Sequence, residues 1–406
     1  MKHINDYIIN HFDDQDVYKF FMHNFLWEQG YLDYEVEWKL YNRGKVKFPE
    51  GFAEHLRYQI DHMRDVKPEK EFLDYLSTKF PFLQTYALFL ADYHYKPETV
   101  IITQIGEDVD IVITGKYGDV IFWECQIMAM MSELYNFMKG NQDIYDNNLY
   151  LINKNDVNKF RDFHILGAKI IEFGMRRRFS FENQCRVLHY AKEYITGTSN
   201  VYFARTIGIP CYGTMAHELT MFFAALYGVK DANRILMDKW IEVYRGKLAT
   251  CLPDTFTTEV FLKDFDLYYA KLFDGTRQDS GEPEVFAEKI IEHYKKIGIN
   301  PKHKNIGFSD SINKFSIVDN LFCKYTQIFN MVWFGIGTWI TNDIPTVTPV
   351  NWVIKMTKVK LPGLMPGEGE WKYTAKLSDT PGKITTIDMD TANEYKQILK
   401  INYGNN

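Results

Sequence analysis

Between about residues 165 and 345, short apolar runs repeatedly end in a cluster of glycine and polar residues, and a helical segment usually follows. IIEF ends in GMRRRFS, ITGTSN leads into VYFARTIG, and IPCYGTMAHE leads into LTMFFAALYG. LATCLPDT, LFDGTRQDSGEP, NIGFSD and MVWFGIGT continue the series. Seven strand-like runs with polar C-terminal tips predict an α/β fold, an irregular βα barrel, whose site lies where those tips converge. An open doubly wound sheet is the rival, but its special residues would concentrate in one glycine-rich first crossover. Here they are spread over every tip, so the barrel is preferred.

The flanks have a different texture. Residues 13–29 read as a helix with an Asp-rich start and Gly30 as its stop. In residues 32–40, Tyr34, Val36, Trp38 and Leu40 alternate with Asp33, Glu35, Glu37 and Lys39, which predicts a half-buried strand. Helical patterns fill residues 51–95, and strands are expected at 100–103, 109–114 and 120–123. That mixture lacks the steady alternation of a parallel sheet and predicts an α+β unit. Strand-like runs return after Pro345, at 352–359 and 371–377. The expected division is therefore a discontinuous α+β domain from residues 1–135 and 346–406, with the barrel at 136–345. Two units suit 406 residues, given about 150 residues per domain.

The 53 acidic side chains exceed the 47 basic ones, for a formal charge of −6. That excludes a general nucleic-acid binder, which needs a basic face. The 46% apolar content, with 30 Phe, 27 Tyr and 8 Trp, supplies a large core and excludes disorder. Five cysteines without a C-x-x-C pair read as free thiols in a reducing compartment. The first residues lack an apolar signal region, and the longest uncharged stretch, 325–342, is too polar for a membrane span. A soluble cytoplasmic protein is expected, without membrane or nucleic-acid partners.

Several tips carry chemistry. Arg176, Arg177 and Arg178 follow Gly174 at a strand end. Positive charge opening a helix opposes the helix dipole, whereas guanidinium groups beside a glycine turn suit phosphate or carboxylate. His217, in GTMAHE, is a candidate nucleophile or proton-transfer group, and Glu218 beside it need not be its partner, because adjacent helical residues do not face each other. In TRQDSGEP, Asp279 can hold sugar hydroxyls and Arg277 an anion. Asp310 repeats a carboxylate at a tip, suited to a hydroxyl or a hydrated Mg²⁺. FGIGT, residues 334–338, offers backbone N–H groups for phosphate after a late strand. No GxxxxGK[ST] is present, so any ATP would need another cradle. Together these residues suggest a phosphorylated sugar substrate with more than one phosphate.

FGMRRRFS (173–180), GTSN (197–200), GTMAHE (213–218), TRQDSGEP (276–283), FSD (308–310), FGIGT (334–338) and KLSDTPGK (376–383), in that order, closely resemble the nicotinate phosphoribosyltransferase family. A D-x-Y-K at residues 16–19 extends the match to nearly the whole chain. The resemblance implies a type II phosphoribosyltransferase-like barrel and transfer of phosphoribosyl from phosphoribosyl diphosphate to nicotinate, in NAD salvage. It implies ATP as co-substrate, with phosphorylation of His217, and Mg²⁺ accompanying the diphosphate near Asp310 without direct protein ligation. Asp279 and Arg277 would complete the catalytic group, with Asp279 on the ribose hydroxyls. Phe173 and Tyr18 would stack on the two faces of the pyridine, Tyr18 from its own or a neighbouring subunit, which leaves a homodimer open. Arg176 would hold the nucleotide phosphate. Asp16, Asp310, Gly335, Gly337 and Thr338 would line the substrate site. Ser199 stands where the related nicotinamide enzymes place Asp, so it would favour the acid over the amide. The alternatives are nicotinamide phosphoribosyltransferase, a barrel lyase or isomerase acting on a sugar phosphate, and a non-catalytic nucleotide sensor.

Overall fold

The alternation at 32–40 becomes strand β1 (Glu35–Tyr41) in the computed structural model, which describes residues 4, 6–363 and 368–403. Residues 1–3, 5, 364–367 and 404–406 of the two expected flanking segments lie outside the described residues. Val36, Trp38 and Leu40 are buried, as the alternation requires. Strands β2 (Val100–Ile105) and β3 (Asp108–Lys116) form a hairpin, and β3 pairs antiparallel with β1.

The parallel sheet comes next in the chain. It contains β4 (Lys169–Glu172), β5 (Gly197–Thr198), β6 (Thr250–Cys251), β7 (Gly275–Gln278), β8 (Asn305–Phe308) and β9 (Met331–Ile336), in the order β5-β4-β9-β8-β7-β6. The βα barrel expected from the strand tips is thus present in irregular form. Six of the seven runs are strands, and the seventh contributes only a bridge from Cys211 to Thr198. Because every pairing in this sheet is parallel, all its C-terminal tips open at one end.

Two further strands, β10 (Val353–Lys360) and β11 (Trp371–Tyr373), return to the first sheet, whose order is β11-β10-β1-β3-β2. β10 runs antiparallel to β1, so the C-terminal strands extend the N-terminal sheet, with β11 at its edge. Beyond Tyr373 the expected strand leaves the sheet. Thr374 Oγ1 donates to Met221 O at 2.8 Å, and Lys376 turns toward the barrel tips.

Two expectations are corrected. Residues 120–123 are not a strand: Tyr117–Val120 and Trp123–Met138 are helical. Val120, Ile121 and Phe122 are buried together, and a short apolar run buried on all sides has no period to separate helix from strand. The first helix is Val17–Glu28, so the Asp-rich residues before it are not its first turn. Asp13 and Asp14 are buried and serve arginines elsewhere: Arg205 Nε is 2.9 Å from Asp13, and Arg178 clamps Asp14 with two bonds of 2.9 and 2.8 Å.

Much of the aromatic excess is core. Phe12 packs against Phe20, Phe72, Tyr93, Tyr95 and Phe122 with centroid separations of 5.3–5.9 Å, mostly in tilted geometry. The five cysteines are free thiols. Among the described residues, no helix is long and apolar enough to cross a membrane.

Candidate active site

GTMAHE leads from the Cys211 bridge into helix His217–Tyr227, so the histidine is the first residue of that helix. Its ring is buried at the tips of β6 and β7. Nδ1 lies 3.0 Å from Thr255 Oγ1. Nε2 lies 2.9 Å from Asp279 Oδ2 and 2.9 Å from Lys376 Nζ. Burial, reinforced by the Lys376 charge, lowers the pKa to about 4, which keeps the ring neutral at pH 7. A neutral ring carries one proton, so the two Nε2 contacts alternate. With the proton on Nε2 the ring donates to Asp279. With it on Nδ1 the ring donates to Thr255, and Nε2 keeps a lone pair facing Lys376. The second tautomer is the one a nucleophile needs. Glu218 points elsewhere, accepting from Lys19 Nζ at 2.8 Å.

Asp279 is half-buried. Burial works to raise its pKa, but the His217 hydrogen bond and the charges of Arg277 and Lys376 together hold it well below the usual carboxylate range. Lys376 Nζ also donates to Asp254 Oδ2 at 3.3 Å, and Ser280 Oγ donates to the same oxygen at 2.5 Å. Ser309 Oγ donates to Asp279 Oδ1 at 3.3 Å. Asp310, one tip over, accepts from Lys383 Nζ at 2.6 Å.

The three consecutive arginines have three fates. Arg178 is buried in its clamp with Asp14 and is part of the scaffold. Arg176 is half-buried, with Nε 3.8 Å from Asp16 and Nη1 3.7 Å from Glu124, too long for tight hydrogen bonds. Arg177 has no side-chain hydrogen bond or ion pair among the described residues. Burial and the neighbouring charges of Arg176 and Arg43 lower its pKa to about 10. Arg277 likewise has no hydrogen bond or ion pair among them; its buried Nε lacks any acceptor, and its guanidinium stands 6.0 Å from the Phe173 ring centroid. Buried cationic donors without acceptors are what an anion site presents before its ligand arrives.

Phe173 follows β4, and its ring lies over Gly335: a Cβ there would come within 2.4 Å of the ring. Gly337 and Thr338 begin the short helix Thr338–Thr341 beside it. On the other side, Val17 N–H donates to Ser199 O at 2.7 Å, which docks the segment containing Asp16 and Tyr18 on its own barrel. Gly213 makes room for it, since a Cβ there would lie 2.7 Å from Val17 and 3.1 Å from Tyr18 N. Tyr18 Oη is 3.4 Å from Cys125 Sγ. Ser199 Oγ donates to Asp16 Oδ1 at 2.6 Å, so a buried carboxylate next door already holds its hydroxyl proton.

Sequence reasoning missed Asp254, Thr255, Lys376, Glu124 and Arg43. LATCLPDT marked the segment of the first two, and Lys376 opens KLSDTPGK, but neither spacing nor residue type tied them to His217. Arg43 Nη2 donates to Thr385 Oγ1 at 2.6 Å, and the charges of Asp279 and Asp310 act on its guanidinium.

His217, Asp254 and Asp279 offer ligand atoms within 4.8 Å of one another. That group fits Mg²⁺ poorly, because one donor is nitrogen and the Lys376 ammonium already contacts the cluster. The carboxylates of Asp279 and Asp310, half-buried on neighbouring tips, are hard oxygen donors that each already face an ammonium, Lys376 at 3.9 Å and Lys383 at 2.6 Å, so they suit the water shell of a hydrated Mg²⁺ rather than the ion itself.

The chain is similar to known proteins over nearly its whole length. The model of the nicotinate phosphoribosyltransferase (NAPRTase) family matches residues 168–403, and that of its N-terminal domain matches residues 14–132. A nicotinate phosphoribosyltransferase of Chromohalobacter salexigens is 38% identical over 395 residues, covering 96% of this chain and 97% of the relative. One from Methanosarcina acetivorans is 36% identical, covering 92% and 94%. The crystal structure of nicotinate phosphoribosyltransferase from Porphyromonas gingivalis superposes with a TM-score of 0.88 at 34% identity, covering 97% of this chain and all of that one.

Proposed function

The chain belongs to the nicotinate phosphoribosyltransferase family, and from that premise we propose that it joins nicotinate to phosphoribosyl diphosphate, with ATP spent through a phosphohistidine at His217. The ring nitrogen of nicotinate bonds to the ribose C1 carbon as the C1–O bond to diphosphate breaks, giving nicotinate mononucleotide and diphosphate. One observation carries the reading: the buried, neutral His217 meets the half-buried Asp279 carboxylate with Arg277 beside it, and the Arg277 Nε lacks an acceptor.

Displacement at a sugar C1 develops positive charge on the ring and negative charge on the departing diphosphate. Asp279, kept ionised, suits the ribose side, while Arg277 and Arg177 suit the phosphates. Mg²⁺, when bound, neutralises the diphosphate charge. Phe173 over Gly335 supplies one flat wall for the pyridine, and Arg176 a cation for an anionic group at its edge. For the energy step, the Nε2 lone pair takes the terminal phosphoryl group of ATP and ADP leaves. Water later cleaves the N–P bond to release phosphate. Thr255 holds Nδ1, which directs Nε2 toward the half-exposed side at Asp279.

The test is an assay with nicotinate or nicotinamide, phosphoribosyl diphosphate and Mg²⁺, with and without ATP. Nicotinate mononucleotide should form, faster or further with ATP. Product from nicotinamide alone would overturn the proposal.

The choice of acid over amide can be tested at Ser199. Ser199→Asp would set a second carboxylate against Asp16, at a position now bridged by 2.6 Å. The added carboxylate raises the negative charge of the pocket, which repels nicotinate. Nicotinate kcat/KM should fall about a hundredfold, the cost of roughly 2–3 kcal/mol for an unfavourable buried charge. An unchanged kcat/KM would refute this account of specificity.

A further inference from the structure

Glu172 ends β4 with its carboxylate fully buried and no Lys, Arg or His within ion-pair distance among the described residues. Three donors meet it. Oε1 accepts from the Gly174 N–H and from Gln184 Nε2 at 3.1 Å, while Oε2 accepts from Thr198 Oγ1 at 2.5 Å. Its backbone carbonyl accepts from Ser199 N at 2.9 Å. Gly174 opens the 3₁₀ turn Met175–Arg177, which presents Arg176, and it follows Phe173. Thr198 precedes Ser199, and its Oγ1 accepts from Asn200 N at 3.1 Å, bracketing Ser199. Gln184 lies on helix Phe181–Ala191, and it also accepts from Arg178 Nη1 at 3.2 Å.

We propose that Glu172 is a positioning residue for the nicotinate pocket: its carboxylate ties the loop bearing Phe173 and Arg176 to the loop bearing Ser199. Burying a carboxylate without a cation is costly, so it holds a conformation only where its hydrogen bonds replace water in full. Here the bonds to Gly174 and Thr198 end at the tips of the paired strands β4 and β5, where the two loops begin, and the third reaches helix Phe181–Ala191. Burial raises the pKa of Glu172 to about 7, as expected for a carboxylate satisfied by neutral donors alone. The phosphate-binding tips of β7, β8 and β9 receive none of these bonds. Loss of the tie should therefore loosen the base pocket more than the sugar-phosphate pocket, to which the same turn contributes only Arg177. The inference rests on the proposed function only in taking the Phe173–Arg176–Ser199 pocket as the nicotinate site.

The experiment compares KM for nicotinate, KM for phosphoribosyl diphosphate and kcat in wild type, Glu172→Ala, Glu172→Gln and Thr198→Val. Glu172→Ala should raise KM for nicotinate at least about tenfold, the loss of more than one net hydrogen bond, with a clearly smaller rise in KM for phosphoribosyl diphosphate through Arg177 and kcat little changed. Glu172→Gln should restore most of the affinity, because its carbonyl still accepts from Gly174 and Gln184 and its NH₂ can donate to Thr198. Thr198→Val, which keeps the carboxylate and the side-chain volume, should raise KM for nicotinate about threefold to tenfold, since it removes the bond to Glu172 and the one from Asn200 N. If Glu172→Ala is insoluble, Thr198→Val decides. An unchanged nicotinate KM in Glu172→Ala or Thr198→Val overturns the proposal, as does a parallel rise in both KM values or a failure of Gln to rescue. A wild type that does not use nicotinate would instead overturn the function itself.

Discussion

Replacing His217 by Ala is expected to abolish phosphoenzyme formation and to cut ATP hydrolysis at least about a thousandfold, since the nucleophile itself is removed. Ribosyl transfer without ATP should persist, because Phe173, Arg176 and Arg277 remain. The acid-labile label from γ-phosphate-labelled ATP and the release of phosphate are the two readouts. ATPase activity equal to wild type would show that His217 is not the phosphate acceptor. The pH dependence follows from the same environment. Burial and Lys376 place the imidazole pKa near 4, so the neutral form is already dominant at pH 5. Phosphorylation should be flat with respect to this group from pH 8 down to 5. It should fall as the pH drops through about 4, where the lone pair is lost. A decline centred on pH 6.5 would mean that the ring is solvated rather than buried.

Asp279→Asn should lower kcat/KM for phosphoribosyl diphosphate by about 10²–10³, the usual effect of removing one preorganised electrostatic contact in a transition state. The amide keeps the size of the side chain but removes the negative charge facing the sugar. It also ends the charge pairing with Lys376, 3.9 Å away, while its carbonyl oxygen still accepts from His217 Nε2–H. The transfer step should therefore suffer. Melting temperature should change little, because Asp279 is half-exposed and Asp254 still holds Lys376 at 3.3 Å. A kcat/KM within tenfold of wild type would remove Asp279 from the reacting centre.

Some of the molecule was legible from patterns that carry their own geometry. The β1 alternation, the strand tips of the barrel and the return of strands after Pro345 each follow from a local period or a local stop signal. The run at 120–123 was misread because Val120, Ile121 and Phe122 are buried on every side, and uniform burial erases the period. The Asp-rich segment before Val17 was misread for a related reason. Charge near a helix start suggests a dipole interaction, yet Asp13 and Asp14 are used by Arg205 and Arg178 more than 160 residues away. At the site, the motifs gave His217, Asp279, Arg277 and Asp310, but not the partners of each. Three adjacent arginines look equivalent in one dimension. Only packing separates the clamped Arg178, the loosely held Arg176 and Arg177, whose side chain is unpaired among the described residues.

What the sequence determined by itself is the order of the strand tips and the chemical types placed on them, because hydrophobic period and turn residues act over a few residues. What the tertiary structure decided is which tips touch. Thr255, Asp279 and Lys376 converge on one imidazole from three distant segments, and Asp16 takes the Ser199 proton across 183 positions. Hydrogen bonds and charges are spent on whatever lies within about 3 Å, and that distance is set by the closing of the sheet rather than by any local pattern.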